Sequence, residues 1–299
     1  MSTTKQVRID PGHPYAKTKH ISFEFYKQTR SASAFGYEYF VSLPPSYDAD
    51  SEKRWPLVFF LHGAGESQRG KKESYATLRH GVPKIILCYD RLKDGLGPKV
   101  DIPLRGGQRV QKEDLSATPV PASVCEFVAE RFITVTPSLN MQYGYGWNAP
   151  ALSSLLDEVV ENYRVDIRRV HATGFSMGGY GTWELAQHSP RRFASLVPIC
   201  GGGEPLLVLN IKHIPQWIHH GERDDIISIS QSKEMYEALQ QIHAPQVKFC
   251  RYPGLGHDSW TEAYNQLELW EWMVDQSLPE GSGEVQREPT KNKANVEHV

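Results

Sequence analysis

The segment Gly174-Phe-Ser-Met-Gly178 constrains this chain more than any other five residues. It fits the pattern G-x-S-x-G, and its flanks give the pattern meaning. Before it, Arg169-Val-His-Ala-Thr173 alternates and reads as a buried strand. After it, Gly179 to Gln187 reads as a helix. A serine on a tight turn between strand and helix is a nucleophile elbow. The glycines at 174 and 178 remove the Cβ atoms that would clash when such a turn forces Ser176 into a strained backbone conformation. Without its flanks the same pentapeptide would be an ordinary Gly/Ser turn.

The rest of the chain repeats the strand-then-helix theme. Trp55 to Leu61 is a continuous apolar run suited to a central parallel strand. Ile21–Tyr26 and Phe35–Val41 alternate with period two and predict an antiparallel edge hairpin. A helix is expected near 70–87, a strand at 131–136, and an amphipathic helix carrying Leu152, Leu155, Leu156, Val159 and Val160 on one stripe. Strands at 193–199, 214–220 and 246–252 follow, with helices at 228–243 and 260–276. This order predicts an α/β fold: a mostly parallel central sheet, helices on both faces, and the antiparallel hairpin at its N-terminal edge. Residues 1–18 are expected as a flexible arm, 19–277 as a single domain, and 278–299 as a disordered tail. Residues 88–130 read as an insertion. It precedes a strand, so it is expected to start on the edge opposite the functional loops, as a surface excursion rather than a lid.

In such sheets ligands bind at the carboxyl ends of strands, and the partners of Ser176 are sought there. Residues 214–220 stop at Gly221-Glu-Arg-Asp-Asp225, which offers two acids for orienting a histidine. Asp224 is preferred; Asp225, followed at once by Ile226-Ile227, is the alternative. Of the twelve histidines, His257 alone lies downstream of these acids on a glycine-bounded loop at a strand end. His62-Gly-Ala-Gly-Glu66 follows the central strand, so the backbone N–H groups of Ala64 and Met177 can converge on one substrate oxygen, each worth about 3–4 kcal/mol in measured cases. The loop from 136 to 148 carries Tyr143, Tyr145 and Trp147 between glycines, either as a substrate wall or as packing. The loop from Cys200 to His213 is short, which predicts an open cleft.

Taken with HGAGE at 62–66, RHGVPK at 79–84, GFSMGGYGTWELA at 174–186, RRFASLVPICGGGEP at 191–205, HGERDD at 220–225 and GLGHDSW at 254–260, the chain resembles the α/β-hydrolases. The resemblance is to the branch holding predicted peptidases, phospholipase/carboxylesterase-like proteins and feruloyl-type esterases, and it spans roughly residues 38–275. It implies Ser176 as nucleophile, Asp224 as acid and His257 as base of a serine hydrolase that cleaves carboxylic esters through an acyl-enzyme. Short relatives lack about forty residues near 88–130. A peptidase or thioesterase would use the same triad, and a non-catalytic hydrolase fold could serve as a binding module; intact triad residues argue against the last.

A length of 299 residues suits one large α/β domain. The formal net charge of -2 and the lack of a dense basic cluster give no reason to expect a nucleic-acid partner. Neither a signal peptide nor a membrane span is read from the sequence, which predicts a cytoplasmic protein acting on a small-molecule ester. Cys88, Cys125, Cys200 and Cys250 show no metal-ligand spacing. No metal or cofactor is expected, and the thiols are expected reduced, with Cys88–Cys125 the one pairing considered. Oligomeric state is not legible.

Overall fold

Every residue of Trp55–Leu61 (β4) is buried, as its unbroken apolar run demands of a strand covered on both faces. Alternate side chains serve two cores. Leu57, Phe59 and Leu61 join one cluster, whereas Val58 and Phe60 join the other. The computed structural model describes residues 6–7, 23–27, 36–70, 73–100, 102 and 115–280.

In chain order the strands and helices are β1 (Gln6–Val7), β2 (Phe23–Lys27), β3 (Glu38–Ser42), β4, α1 (Gly81–Lys93), α2 (Ala122–Arg131), β5 (Ile133–Ser138), α3 (Ala149–Asn162), β6 (Val165–Phe175), α4 (Met177–His188), β7 (Ser195–Ile199), β8 (Gln216–Gly221), α5 (Ser230–Gln241), β9 (Val247–Tyr252), α6 (Trp260–Tyr264) and α7 (Leu267–Asp275). The strands form one sheet in the order β1-β2-β3-β5-β4-β6-β7-β8-β9. β1, β2, β3 and β5 pair antiparallel; from β5 through β4 to β9 every pairing is parallel. Leu152, Leu155 and Leu156 of α3, Trp183 of α4 and Met235 of α5 cover one face. Ile85 and Ile86 of α1, Val124 and Val128 of α2, and Trp270 of α7 cover the other. Each such side chain contributes about 1.5–3 kcal/mol on burial.

The α/β class and the mostly parallel sheet agree with the sequence reading. Four local readings need correction. The predicted hairpin forms as β2–β3, but β1 pairs outside it, so Gln6–Val7 hold the edge; the rest of the expected 1–18 arm lies outside the described residues. The helix expected near 70–87 is a 3-10 turn, Ser74–Leu78, followed by α1. His80 is extended between them, and Gly81 takes φ 66 against Phe60, where an added Cβ would lie 2.4 Å from the ring. The expected helix 260–276 is two helices. Gln266 is extended, and the Trp270 indole N–H donates to the Tyr264 carbonyl at 2.9 Å, closing the end of α6. Finally, the first six residues of the 88–130 segment complete α1, and most of α2 lies at its other end.

All four cysteines are free thiols, so the Cys88–Cys125 pairing does not form; Cys125 Sγ on α2 donates to the Val120 carbonyl at 4.0 Å. Among the described residues no helix is long and apolar enough to cross a membrane. Of the expected tail, Leu278 is buried and tied to β6, its N–H donating to the Arg168 carbonyl at 2.8 Å while Arg168 Nε donates back at 3.1 Å. Residues 281–299 lie outside the described residues.

Candidate active site

β6 runs into α4 with one residue between them. That residue, Ser176, adopts φ 55 and ψ -123, a conformation L side chains avoid. The turn survives because its neighbours permit no other path. A Cβ at Gly178 would lie 1.9 Å from the Leu61 carbonyl oxygen, and one at Gly174 would lie 2.4 Å from that of Gly178. Ser176 N–H is fixed by the Ile199 carbonyl at 2.9 Å. Two strands thus clamp the elbow, β4 from one side and β7 from the other.

Ser176 Oγ lies 3.0 Å from His257 Nε2, and His257 Nδ1 lies 2.8 Å from Asp224 Oδ2. The three come from the ends of β6, β9 and β8. Asp224 Oδ1 accepts the N–H groups of Ile226 and Ile227 at 2.9 and 2.8 Å, and Oδ2 also receives His220 Nε2 at 3.1 Å. Its side chain is fully buried. Burial alone would raise this carboxyl's pKa; the hydrogen bonds from His220, His257 and Ile227 outweigh it and hold the group well below the usual carboxylate range. Asp225 is exposed and outside this network. Of the two acids, Asp224 is the one within hydrogen-bond distance of His257.

Ala64 opens the 3-10 turn Ala64–Glu66, and Met177 opens α4. The first N–H groups of a helix have no partner within it, and both residues line a cavity of about 600 Å³ that also contains Ser176 and His257. The aromatic loop meets the same cavity unevenly. Trp147 is buried, its indole N–H donating to the His62 carbonyl at 3.3 Å and its ring packing on Tyr37 and His62. It both packs the loop and lines the cavity. Tyr145 is 80% exposed at the rim, between Gly144 and Gly146, which take φ 140 and 91. Tyr143 lies in the turn Met141–Tyr143, and its side chain is outside the described residues.

Several residues went unread in the sequence. Trp260 stacks on Phe175 at 4.2 Å, meets His257 edge-on at 5.3 Å, and donates its indole N–H to His80 Nδ1 at 3.1 Å. His80 Nε2 in turn approaches Glu66 Oε1 at 3.7 Å. Arg79, Glu66 and Asp258, all buried, also line the cavity. Their only sequence signal was residence in the short motifs 62–66, 79–84 and 254–260. The 88–130 segment reaches this wall: Arg79 donates to Ser116 Oγ at 2.8 Å and to the Ile102 carbonyl, and Leu115 N–H donates to Asp258 Oδ2 at 3.0 Å. The segment therefore does not stay on the opposite edge. Buried charged groups need partners, and the residues flanking 103–114 supply them; 103–114 themselves lie outside the described residues. Among the described residues one His/Cys/Asp/Glu cluster has metal-like spacing, Cys200, Asp224 and His257; two of its members already bond each other.

A family profile described as Phospholipase/Carboxylesterase matches residues 136–269. A bifunctional acetylxylan esterase/xylanase of Neocallimastix patriciarum is 26% identical over 95 residues, 31% of this chain and 14% of that protein. A thermostable esterase superimposes with a TM-score of 0.62 at 22% identity, covering 86% of this chain and 64% of that one. The feruloyl esterase module of Clostridium thermocellum, complexed with sinapinate, gives 0.56 at 15% identity over 92% of this chain and 95% of its own. An S-formylglutathione hydrolase of Staphylococcus aureus gives 0.55 at 16% identity over 86% and 97%. The chain spans less than two thirds of the curated relative and of the thermostable esterase. With the sheet order, the strand–elbow–helix junction and these superpositions together, the chain has the α/β-hydrolase fold.

Proposed function

We propose that this chain is a serine hydrolase of carboxylic esters. The observation that carries the reading is the unbroken hydrogen-bond chain from Ser176 through His257 to Asp224, set in the wall of a 600 Å³ cavity. Ser176 Oγ attacks the ester carbonyl while His257 Nε2 takes its proton. Asp224 keeps the other ring proton on Nδ1 and offsets the imidazolium charge. The N–H groups of Ala64 and Met177 receive the oxyanion. Collapse of the tetrahedral adduct expels the alkoxide, which His257 protonates, leaving acyl-Ser176. Water, deprotonated by His257, then attacks the acyl carbon and releases the acid and free Ser176.

The cavity combines aromatic surface from Tyr145, Trp147 and Tyr180 with the polar wall of Glu66, Arg79 and Asp258. That mixture suits an ester of moderate size with an apolar or aromatic part and a polar part. Arylacyl and acetyl esters of hydroxylated alcohols are the first substrates to try, in keeping with the names of the similar proteins. The test is labelling by a fluorophosphonate together with hydrolysis of p-nitrophenyl esters, each compared with an aminoacyl anilide and an acyl thioester. A protein that neither labels nor turns over any ester overturns the reading. Faster turnover of the anilide or the thioester redirects it to a peptidase or a thioesterase.

A further inference from the structure

A second histidine, His220, stands beside Asp224. It is fully buried near the end of β8, four residues before Asp224. Its Nε2 lies 3.1 Å from Asp224 Oδ2 and 2.9 Å from the Ile227 carbonyl. Both neighbours can only accept, so Nε2 carries a proton and donates. On the other side of the ring, Nδ1 lies 2.8 Å from Ser232 Oγ, which also lies 2.9 Å from the Gly201 carbonyl oxygen. The ring is therefore held at both nitrogens, by α5 and by the turn that follows Asp224.

The oxygen that His220 holds is the one His257 uses: Asp224 Oδ2 sits between two imidazoles, at 3.1 and 2.8 Å. Oδ1 is already fixed by two backbone N–H groups. The carboxylate is a planar group with acceptor capacity on both oxygens, so the two N–H bonds on Oδ1 and the bond from His220 on Oδ2 hold its plane from opposite ends.

We propose that His220 is a positioning residue of the ester-cleaving reaction: through Nε2–H it aims Asp224 Oδ2 at His257, and so sets the ring orientation that brings His257 Nε2 to Ser176. The proposal rests on the triad reading above and extends it to a fourth side chain. His220 touches no substrate, so its loss should lower kcat and leave KM near its starting value.

Asparagine and glutamine separate its two bonds. In His220→Gln the amide nitrogen reaches the position of Nε2 and keeps the bond to Asp224. In His220→Asn it reaches only the position of Nδ1 and keeps the bond to Ser232. Rates on p-nitrophenyl acetate are expressed per fluorophosphonate-titrated site. The expected result is a kcat for His220→Asn lower by roughly ten- to a hundredfold with KM within about twofold, the scale on which small misplacements of reacting groups act. His220→Gln is expected within about threefold of wild type. Equal losses in the two variants, or an unchanged kcat in His220→Asn, overturn the proposal. Should His220→Asn not fold, Ser232→Ala reads the same coupling by releasing the far side of the ring: a severalfold drop in kcat supports the proposal, and an unchanged kcat overturns it. Wild type and Ser176→Ala are run alongside. An inactive wild type, or an active Ser176→Ala, defeats the triad reading itself; a normal His220→Asn beside an active wild type and a dead Ser176→Ala defeats only the part given to His220.

Discussion

The cavity has two kinds of wall. Around Ser176, His257 and Asp224 each polar atom has a named partner, and the glycines leave no room for a Cβ. Across the cavity, the loop carrying Tyr145 exposes its tyrosine and places Gly144 and Gly146 where an added Cβ would touch nothing within 4 Å. The first wall is over-determined and the second is held mainly through Trp147. Rate should therefore reside in the first and selectivity in the second.

The largest expected effect tests the first wall. Ser176→Ala should abolish fluorophosphonate labelling and reduce ester turnover on the order of 10⁶-fold, as loss of a triad nucleophile does elsewhere. Its circular dichroism should match wild type. Retention of more than a few per cent of activity would move the nucleophile to another residue.

Next comes the acid. Asp224→Asn should slow turnover on the order of 10⁴-fold, because a neutral amide does not offset the His257 imidazolium charge and its NH2 can donate to Nδ1, favouring the wrong tautomer. Asp225→Asn, at an exposed side chain outside the network, should stay within about twofold. Steady-state kinetics of the pair decide the matter, and the opposite ranking would break the comparison.

The second wall should respond in another currency. Trp147→Ala removes a buried ring from Tyr37 and His62 and should cost about 3 kcal/mol of stability, read by chemical denaturation. Tyr145→Ala should leave stability alone and raise KM for aromatic esters by roughly tenfold, with acetate little changed. A uniform rate loss in Tyr145→Ala would mean that the rim takes part in positioning the triad.

A last test separates the fold from the site as pH falls. Burial pushes His171 and His219 down to about 3, so both stay neutral in the folded protein. Unfolded, each would take up a proton near pH 6.5. Because the unfolded state binds more protons, stability should fall by about 1.4 kcal/mol per pH unit per histidine between pH 6 and 4. Asp224 acts later: its lowered pKa contributes stability that is complete above its unfolded value near 3.9 and lost only as pH falls below it. Urea denaturation across pH 4–6 should give a slope near two protons in wild type and one in His171→Asn.

How much of this was legible depended on distance along the chain. The elbow was readable because strand, serine and helix are contiguous. Asp224 and His257 were readable because strand ends are visible as breaks after apolar runs. His220 was not, since its significance lies in two acceptors that appear only when the turn after Gly221 folds back. Trp260 and His80 are 180 residues apart, and no local pattern joins them. The run from 260 to 276 kept its helical period through Asn265 and Gln266, so the break escaped notice. The path of the 88–130 segment failed for a different reason: strand order predicts where a loop starts, and the buried charges of Arg79 and Asp258 decide where it is drawn.

The clasp between Leu278 and Arg168 has a practical consequence for handling the protein. Arg168 lies near the start of β6 and Ser176 immediately beyond its end, eight residues and roughly 25 Å along the strand. A tether attached at Glu280 therefore leaves the described fold from the pole opposite the cavity. Immobilised on a resin or an electrode through that residue, the protein would present its cleft outward to solution. An attachment through the loop at Tyr145 would turn the same cleft toward the support.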